Sequence, residues 1–156
     1  MSETDDVVAL WRLQATYADV VTRRAWSELH ALFVPNATVT LDLVTSPPRT
    51  ITGPDELGEF IGSSIERFDH FTFVILNTVV DVTGPDAATG RIFMCEIRHD
   101  AASEPNDAWS TAQGCYQDDY VRIADGWRFA ARQYRSMART GAEAAILGLP
   151  PDFTSD

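Results

Sequence analysis

The first stretch of the chain repeats at helical spacing. Val7, Leu10, Trp11, Gln14, Tyr17, Ala18 and Val21 fall on one side of a 3.6-residue helix, which predicts a helix over residues 5–22. Ser2 or Thr4 caps it, and Asp5 and Asp6 suit its positive end. Trp26, Leu29, Leu32 and Phe33 predict a second, short helix stopped by Pro35 and Asn36. From Ala37 to Val44 the period falls to two. Val39, Leu41 and Leu43 alternate with Thr38, Thr40 and Asp42, the pattern of a strand. Ser46-Pro47-Pro48 breaks the chain, and Arg49–Thr52 reads as a short returning strand. Thr52-Gly53-Pro54-Asp55 then opens a helix to about Arg67, with Thr52 as cap and Asp55 reaching back. Leu57, Phe60, Ile61 and Ile65 form its inward stripe.

The second half is strand-rich, with long runs over residues 70–82, 88–99, 109–123 and 127–137. Ala124-Asp125-Gly126 is too tight a link for a parallel crossover, so the last two strands are antiparallel. Four long twisted strands wrapped on helices make a half-barrel whose concave face is filled by a helix or left as a pocket. The predicted architecture is one α+β domain over residues 1–156, a cone of N-terminal helices on a strongly curved, mainly antiparallel sheet with an internal pocket. A length of 156 residues suits one domain. The tail, residues 140–156, is expected to carry a helical turn at 142–147 and to cover the pocket or a dimer interface.

Charge removes some classes of partner. Twelve basic against 23 acidic residues give a net charge of −11, which repels phosphate backbones and anionic lipid, and Arg23-Arg24 is too short to form a basic patch. Neither nucleic acid nor a membrane is therefore an expected partner. Cys95 and Cys115 match no zinc or CxxC spacing; they read as buried free thiols, with a facing pair on adjacent strands as the other possibility. No stretch approaches the roughly 18 apolar residues that span a bilayer. The opening MSETDDVVALW is no signal peptide, which predicts a cytoplasmic location. Three scattered histidines make no metal site, and neither a nucleophile elbow nor a glycine-rich phosphate loop is present.

Tyr17-Ala18, Arg23-Arg24-Ala25-Trp26, Leu32-Phe33 and Asn36-Ala37 resemble the opening of the SnoaL-like, scytalone dehydratase-like branch of the NTF2-like superfamily. Gly53-Pro-Asp-Glu-Leu57 resembles that family's mid-chain helix start. Tyr116-x-Asp118-x-Tyr120-x-Arg122, followed by Asp125-Gly126-Trp127-Arg128-Phe129, resembles its closing hairpin. The similarity runs from about residue 5 to 140. It implies a deep apolar cone in which a few polar side chains move protons, with no metal or organic cofactor. Relatives include scytalone dehydratase, polyketide cyclases, ketosteroid isomerase, limonene epoxide hydrolase, ring-hydroxylating dioxygenase small subunits and non-enzymatic assembly domains. The chain departs from the dehydratase pattern at the positions of its carboxylate and histidines. Thr22 stands where an Asp follows the helix Tyr, Phe73 where a His precedes the strand Asn, and Arg98 near the place of a second His.

Strand parity then selects side chains. Phe71, Phe73, Ile75, Asn77 and Val79 share one face, which the resemblance makes the pocket face. Ile92, Met94, Glu96 and Arg98 share another; if it faces the pocket, Glu96 and Arg98 sit at the wider end. There a charge has to be paired or shifted in pKa, and Arg98 can receive an anionic oxygen. The opposite parity places Cys95 and His99 inward. Ser110, Ala112, Gly114, Tyr116, Asp118 and Tyr120 share a third face. Asp118 is the leading candidate for proton transfer, with Tyr17 and Tyr116 as donors to a developing oxyanion. Core packing is the plain alternative for the tyrosines, a structural bond to Tyr17 or to an Arg for Asp118, a rim salt bridge for Glu96 with Arg98, and a bond to neighbouring backbone at a bulge for Asn77. Thr22, Trp26, Phe73 and Met94 complete the expected wall.

Two functions follow. One is a cofactor-free lyase or isomerase of the dehydratase, cyclase or ketosteroid isomerase kind, acting on a hydrophobic oxygenated molecule such as a polyketide, steroid or terpenoid. The other is a non-catalytic binding or assembly module, for example one resembling an oxygenase small subunit. Either is expected to form a homodimer through an outer sheet face carrying Val80, Val82, Ile97 and Val121.

Overall fold

The structure is a computed structural model that describes residues 2–153. Its elements are α1 (Glu3–Arg23), a 3-10 helix (Trp26–Ala31), β1 (Phe33–Asp42), β2 (Arg49–Thr52), α2 (Gly53–Ile65), β3 (His70–Gly84) and β4 (Ala87–His99). A short 3-10 turn (Pro105–Asp107) precedes β5 (Trp109–Ile123), β6 (Gly126–Arg139) and β7 (Ala145–Ile146), and another closes the tail (Pro151–Phe153).

Helix α1 begins with a reciprocal cap. The Ser2 hydroxyl accepts from the Asp5 N–H at 3.2 Å, and the Asp5 carboxylate accepts from the Ser2 N–H at 2.9 Å. The helix buries Leu10, Leu13, Gln14, Tyr17, Val20 and Val21, whereas Trp11 lies half-exposed at the edge of the stripe. At α2 the reaching-back residue is Glu56, whose carboxylate accepts from the Thr52 N–H at 3.0 Å. Asp55 instead meets His30 at 2.7 Å, and the Thr52 side chain makes no cap. Gly53 is required at this start: its φ is +82°, and a Cβ there would sit 2.9 Å from the Pro35 carbonyl.

The strands form one sheet in the order β2-β1-β6-β5-β4-β3. Neighbours are antiparallel except β1 and β6, which run parallel because the chain crosses between them by way of α2 and the three-strand meander. β1 stops at Asp42 opposite Arg135, so the last residues of β6 have an open edge. β7 fills it, pairing Ile146 with Ala138 and Ala145 with Arg139. That strand replaces the helical turn expected at 142–147. The turn into it is Gly141, at φ +88°, where a Cβ would meet the Ser110 side chain at 2.8 Å. Residues 154–156, part of the expected covering tail, lie outside the described residues.

Two one-residue bulges decide which side chains face inward. In β3 the ladder steps from Ile75–Met94 to Asn77–Phe93, leaving Leu76 over. Phe71, Phe73 and Ile75 face the core before the bulge; Val80 and Val82 do so after it. This corrects two expectations. Asn77 is exposed rather than in the pocket, and Val80 and Val82 are not on the outer face. In β6 the ladder steps from Phe129–Tyr120 to Ala131–Asp119. Trp127 and Phe129 are buried before that step; Arg132, Tyr134 and Ser136 are buried after it.

Helix α1 packs across the concave sheet, and the narrow end of the cone is filled by aromatic rings. Phe33 stacks on Phe129 at 4.8 Å, and Tyr17 meets both edge-on at 5.9 and 5.8 Å. Both cysteines are free; Cys115 is buried and Cys95 half-buried, and the register sets Cys95 opposite Gln113 and Cys115 opposite Phe93. Among the described residues, no helix is long and apolar enough to cross a membrane.

Candidate functional site

The wide end of the cone holds a cavity of about 380 Å³. Helix α2 supplies Leu57, Phe60, Ile61 and Ile65 as one wall, and Val39 and Leu41 of β1 supply another. This is the stripe that helical spacing assigned to α2, turned onto a void rather than a filled core. Into this apolar space project Tyr17 from α1, Glu96 and Arg98 from β4, Tyr116 from β5, and Tyr134 and Ser136 from β6. Arg139 and Glu143 stand at the mouth, so the described tail does contribute to the cavity.

Glu96 and Arg98 are two residues apart on one strand and so share its inner face. The Arg98 Nη1 lies 3.6 Å from the Glu96 Oε2, close enough for attraction but too long for a hydrogen bond. Burial pushes the Glu96 carboxyl up to about 7, and the nearby Arg98 cation offsets only part of that rise. Burial likewise raises Tyr17, Tyr116 and Tyr134, the last to about 12, and the Glu96 charge adds to each. The three phenols are therefore neutral O–H donors at neutral pH, around a carboxyl poised to exchange a proton.

Beneath this layer lies a closed ion pair. Asp118 accepts from Arg132 Nε at 2.7 Å and Nη2 at 3.0 Å, from Gln14 Nε2 at 2.6 Å and from the Tyr120 hydroxyl at 3.1 Å. The side chains of Asp118 and Arg132 are 0% exposed. The guanidinium is held among aromatic rings, 3.9 Å from the centroid of Tyr116, 4.3 Å from Phe129 and 4.5 Å from Tyr17. Asp118 thus sits on the inner face, as strand parity requires, but too deep to meet a ligand. Arg132, Gln14 and Tyr120 occupy its oxygens, and the buried carboxyl that lines the cavity is that of Glu96.

The remaining predicted residues divide. Phe73, Glu96, Arg98, Tyr17 and Tyr116 line the cavity. Thr22 does not: its hydroxyl accepts from the Phe73 N–H at 3.0 Å and ties α1 to β3. Met94 is fully buried in the core beside the cavity, and Trp26 packs on Gly58 and Gly62 at the outer side of α2. Asn77 lies beyond the bulge, away from the site. Sequence reasoning missed Tyr134 and Ser136. Their alternation on β6 was a visible signal, but the bulge hides its phase relative to Trp127 and Phe129. Among the described residues, His, Cys, Asp and Glu form no group of three that could hold a metal ion.

The family model of the SnoaL-like domain matches residues 2–133. No curated protein matches the sequence. A crystal structure from Novosphingobium aromaticivorans, assigned as a candidate scytalone dehydratase, superposes with a TM-score of 0.79 at 20% identity, covering 95% of each chain. The Kfla4162 protein of Kribbella flavida gives 0.77 at 20%, covering 89% of this chain and 95% of that one. LinA gives 0.75 at 16%, covering 94% and 96%, and a type 2 form of this hexachlorocyclohexane dehydrochlorinase gives 0.75 at 15%, covering 95% of each. Likeness at these identities establishes the cone fold.

Proposed function

This chain belongs to the SnoaL-like domain family, and from that premise we propose that its cavity hosts a proton-transfer reaction of the lyase or isomerase kind. The observation that carries the reading is Glu96: a carboxyl near pKa 7 in an apolar cavity, ringed by three neutral phenols. A general base or acid works best when its pKa lies near the working pH, because both protonation states are then populated.

The substrate is a hydrophobic oxygenated molecule of the polyketide, steroid or terpenoid sort. Its body lies against Leu57, Phe60 and Ile61, which reward apolar area and little else. Glu96 as carboxylate takes a proton from a carbon next to a carbonyl. The oxygen gains negative charge, which the O–H groups of Tyr116 and Tyr134 stabilise by hydrogen bonding. Glu96, now protonated, returns the proton to a neighbouring carbon in an isomerisation, or to a departing oxygen in an elimination. The names of two structural neighbours, a scytalone dehydratase and a dehydrochlorinase, both describe elimination and support the lyase form. Asp118 and Arg132 position Tyr17 and Tyr116 from below.

A non-catalytic binding module is the second reading, favoured by Thr22 and Phe73 standing where dehydratase-like relatives carry an Asp and a His. The test is hydrogen–deuterium exchange of a panel of polycyclic ketones, followed by NMR. The wild-type chain is expected to accelerate exchange next to the carbonyl. Glu96→Gln is expected to lose that activity by on the order of 100-fold or more. Full exchange activity in Glu96→Gln refutes the assignment, and no exchange with any ketone favours the binding module.

A further inference from the structure

Arg98 differs from the other cation at this site. Arg139 donates to the Leu43 carbonyl at 2.6 Å and to the hydroxyls of Thr45 and Ser136 at 3.2 Å, which commits three of its five N–H donors to the protein. Arg98 makes no hydrogen bond to any described residue within reach of its fork. Its nearest carboxylate oxygen, on Glu96, is 3.6 Å away, and its Nε is buried with no partner at all. The side chain is only 15% exposed, so water does little to replace the missing bonds. Buried guanidinium donors without acceptors are unfavourable; Arg132 Nη1 and Arg135 Nε also lack one, but those two cations each hold a hydrogen-bonded carboxylate, Asp118 and Asp42, and Arg98 holds none.

The fork is also held in place. Its Cζ lies 5.1 Å over the Phe68 ring, at the end of α2, and a guanidinium fixed in this way loses little freedom when it binds. It faces the apolar cavity on one side and a smaller cleft of about 80 Å³ on the other, where Asp100 and Arg67 already answer each other at 3.9 Å. The Nη1–Nη2 end of the fork matches the two oxygens of a planar carboxylate, whereas Nε is buried out of a ligand's reach. A dianion suits the place less well, because Glu96 and Glu143 share the lining and the chain carries a net charge of −11.

We infer that the ligand of this cavity is an amphipathic monocarboxylic acid, whose carboxylate Arg98 receives while its apolar body lies along α2. Its identification as the substrate rests on the proton-transfer reading, since the distance from Arg98 to Glu96 then sets how far the reacting carbon lies from the carboxylate. The inference narrows the substrate from any hydrophobic oxygenated molecule to an acid.

The test uses the full chain and isothermal titration calorimetry with 2-naphthylacetate, 2-naphthylacetamide and 2-naphthyl phosphate. The acid is expected to bind at least tenfold tighter than the amide. Arg98→Gln is expected to erase that preference and leave the amide unchanged, and Arg98→Lys to keep part of it. Glu96→Gln keeps the preference, so loss of catalysis and loss of acid recognition are read separately. Equal binding of acid and amide, no binding of the acid, tighter binding of the phosphate, or a preference that survives Arg98→Gln each overturns the inference. Should Arg98→Gln fail to fold, the comparison of wild type with Arg98→Lys decides in the same way.

Discussion

Replacing Glu96 by Gln offers a test of the site that needs no substrate. Glu96 titrates at 4.5 in an unstructured chain and at about 7 when folded, mainly because burial penalises its charged form. The folded state therefore holds the proton more tightly. That stabilisation is complete below pH 4.5 and is lost as pH rises to about 7. At about 1.4 kcal/mol per pH unit the loss is about 3 kcal/mol, an upper figure because 24% of the side chain remains open. Groups facing it from every packed element enter the balance: Arg98 on its own strand, Tyr17 from α1, Tyr116 from β5, Tyr134 and Arg139 from β6, and Glu143 from the tail. Glutamine keeps the shape and cannot ionise. Urea unfolding of both proteins from pH 4.5 to 8.5 is the assay. The variant's stability relative to wild type is expected to rise across that range, by up to about 3 kcal/mol, or roughly 6–12 °C in Tm for a domain of this size. A flat difference, or one that falls with pH, shows that Glu96 is not held near neutrality and removes the basis of the proposed chemistry.

Other substitutions probe the floor and the wall. Asp118→Asn leaves the Arg132 cation at 0% exposure without its counter-charge and is expected to cost roughly 3–5 kcal/mol in urea unfolding. A cost under about 1 kcal/mol contradicts the structural role given to the pair. Gly114→Ala places a methyl group against the Tyr134 ring, which has to swing toward the cavity. It is expected to lower stability by roughly 1–3 kcal/mol and to weaken 2-naphthylacetate binding in calorimetry, and wild-type affinity rules out that displacement.

Local chemistry was legible in large part, although the cap of α2 falls to Glu56 rather than to Thr52 and Asp55. The spacing of Leu10, Gln14, Tyr17 and Val21 defines α1, the Ser2–Asp5 cap starts it, and Gly53 marks the only kind of residue that fits against Pro35. Alternation along β4 and β5 also held, because neither strand carries a bulge, and it put Glu96, Arg98, Tyr116 and Asp118 on the inner face. Depth is another matter. A period of two says which face a side chain takes but not what lies above it. The β5–β6 register sets Arg132 opposite Asp118, and the docking of α1 adds Gln14 and covers the pair, while Glu96 faces the void.

Phase was lost at two residues. Leu76 and Ala130 each insert one position into a strand, so that Asn77 turns outward and Arg132, Tyr134 and Ser136 turn inward. A bulge at Asn77 was one of two open readings, and the one at Ala130 had no local signal, because a bulge is set by how two strands must curve together. The parallel contact of β1 with β6 and the short β7 also depend on partners far away in sequence. The sequence by itself determined α1, α2 with its apolar stripe, and the long strands of the second half. The tertiary structure decided which polar residues meet in the cavity, because that depends on sheet curvature and on where α1 and α2 come to rest.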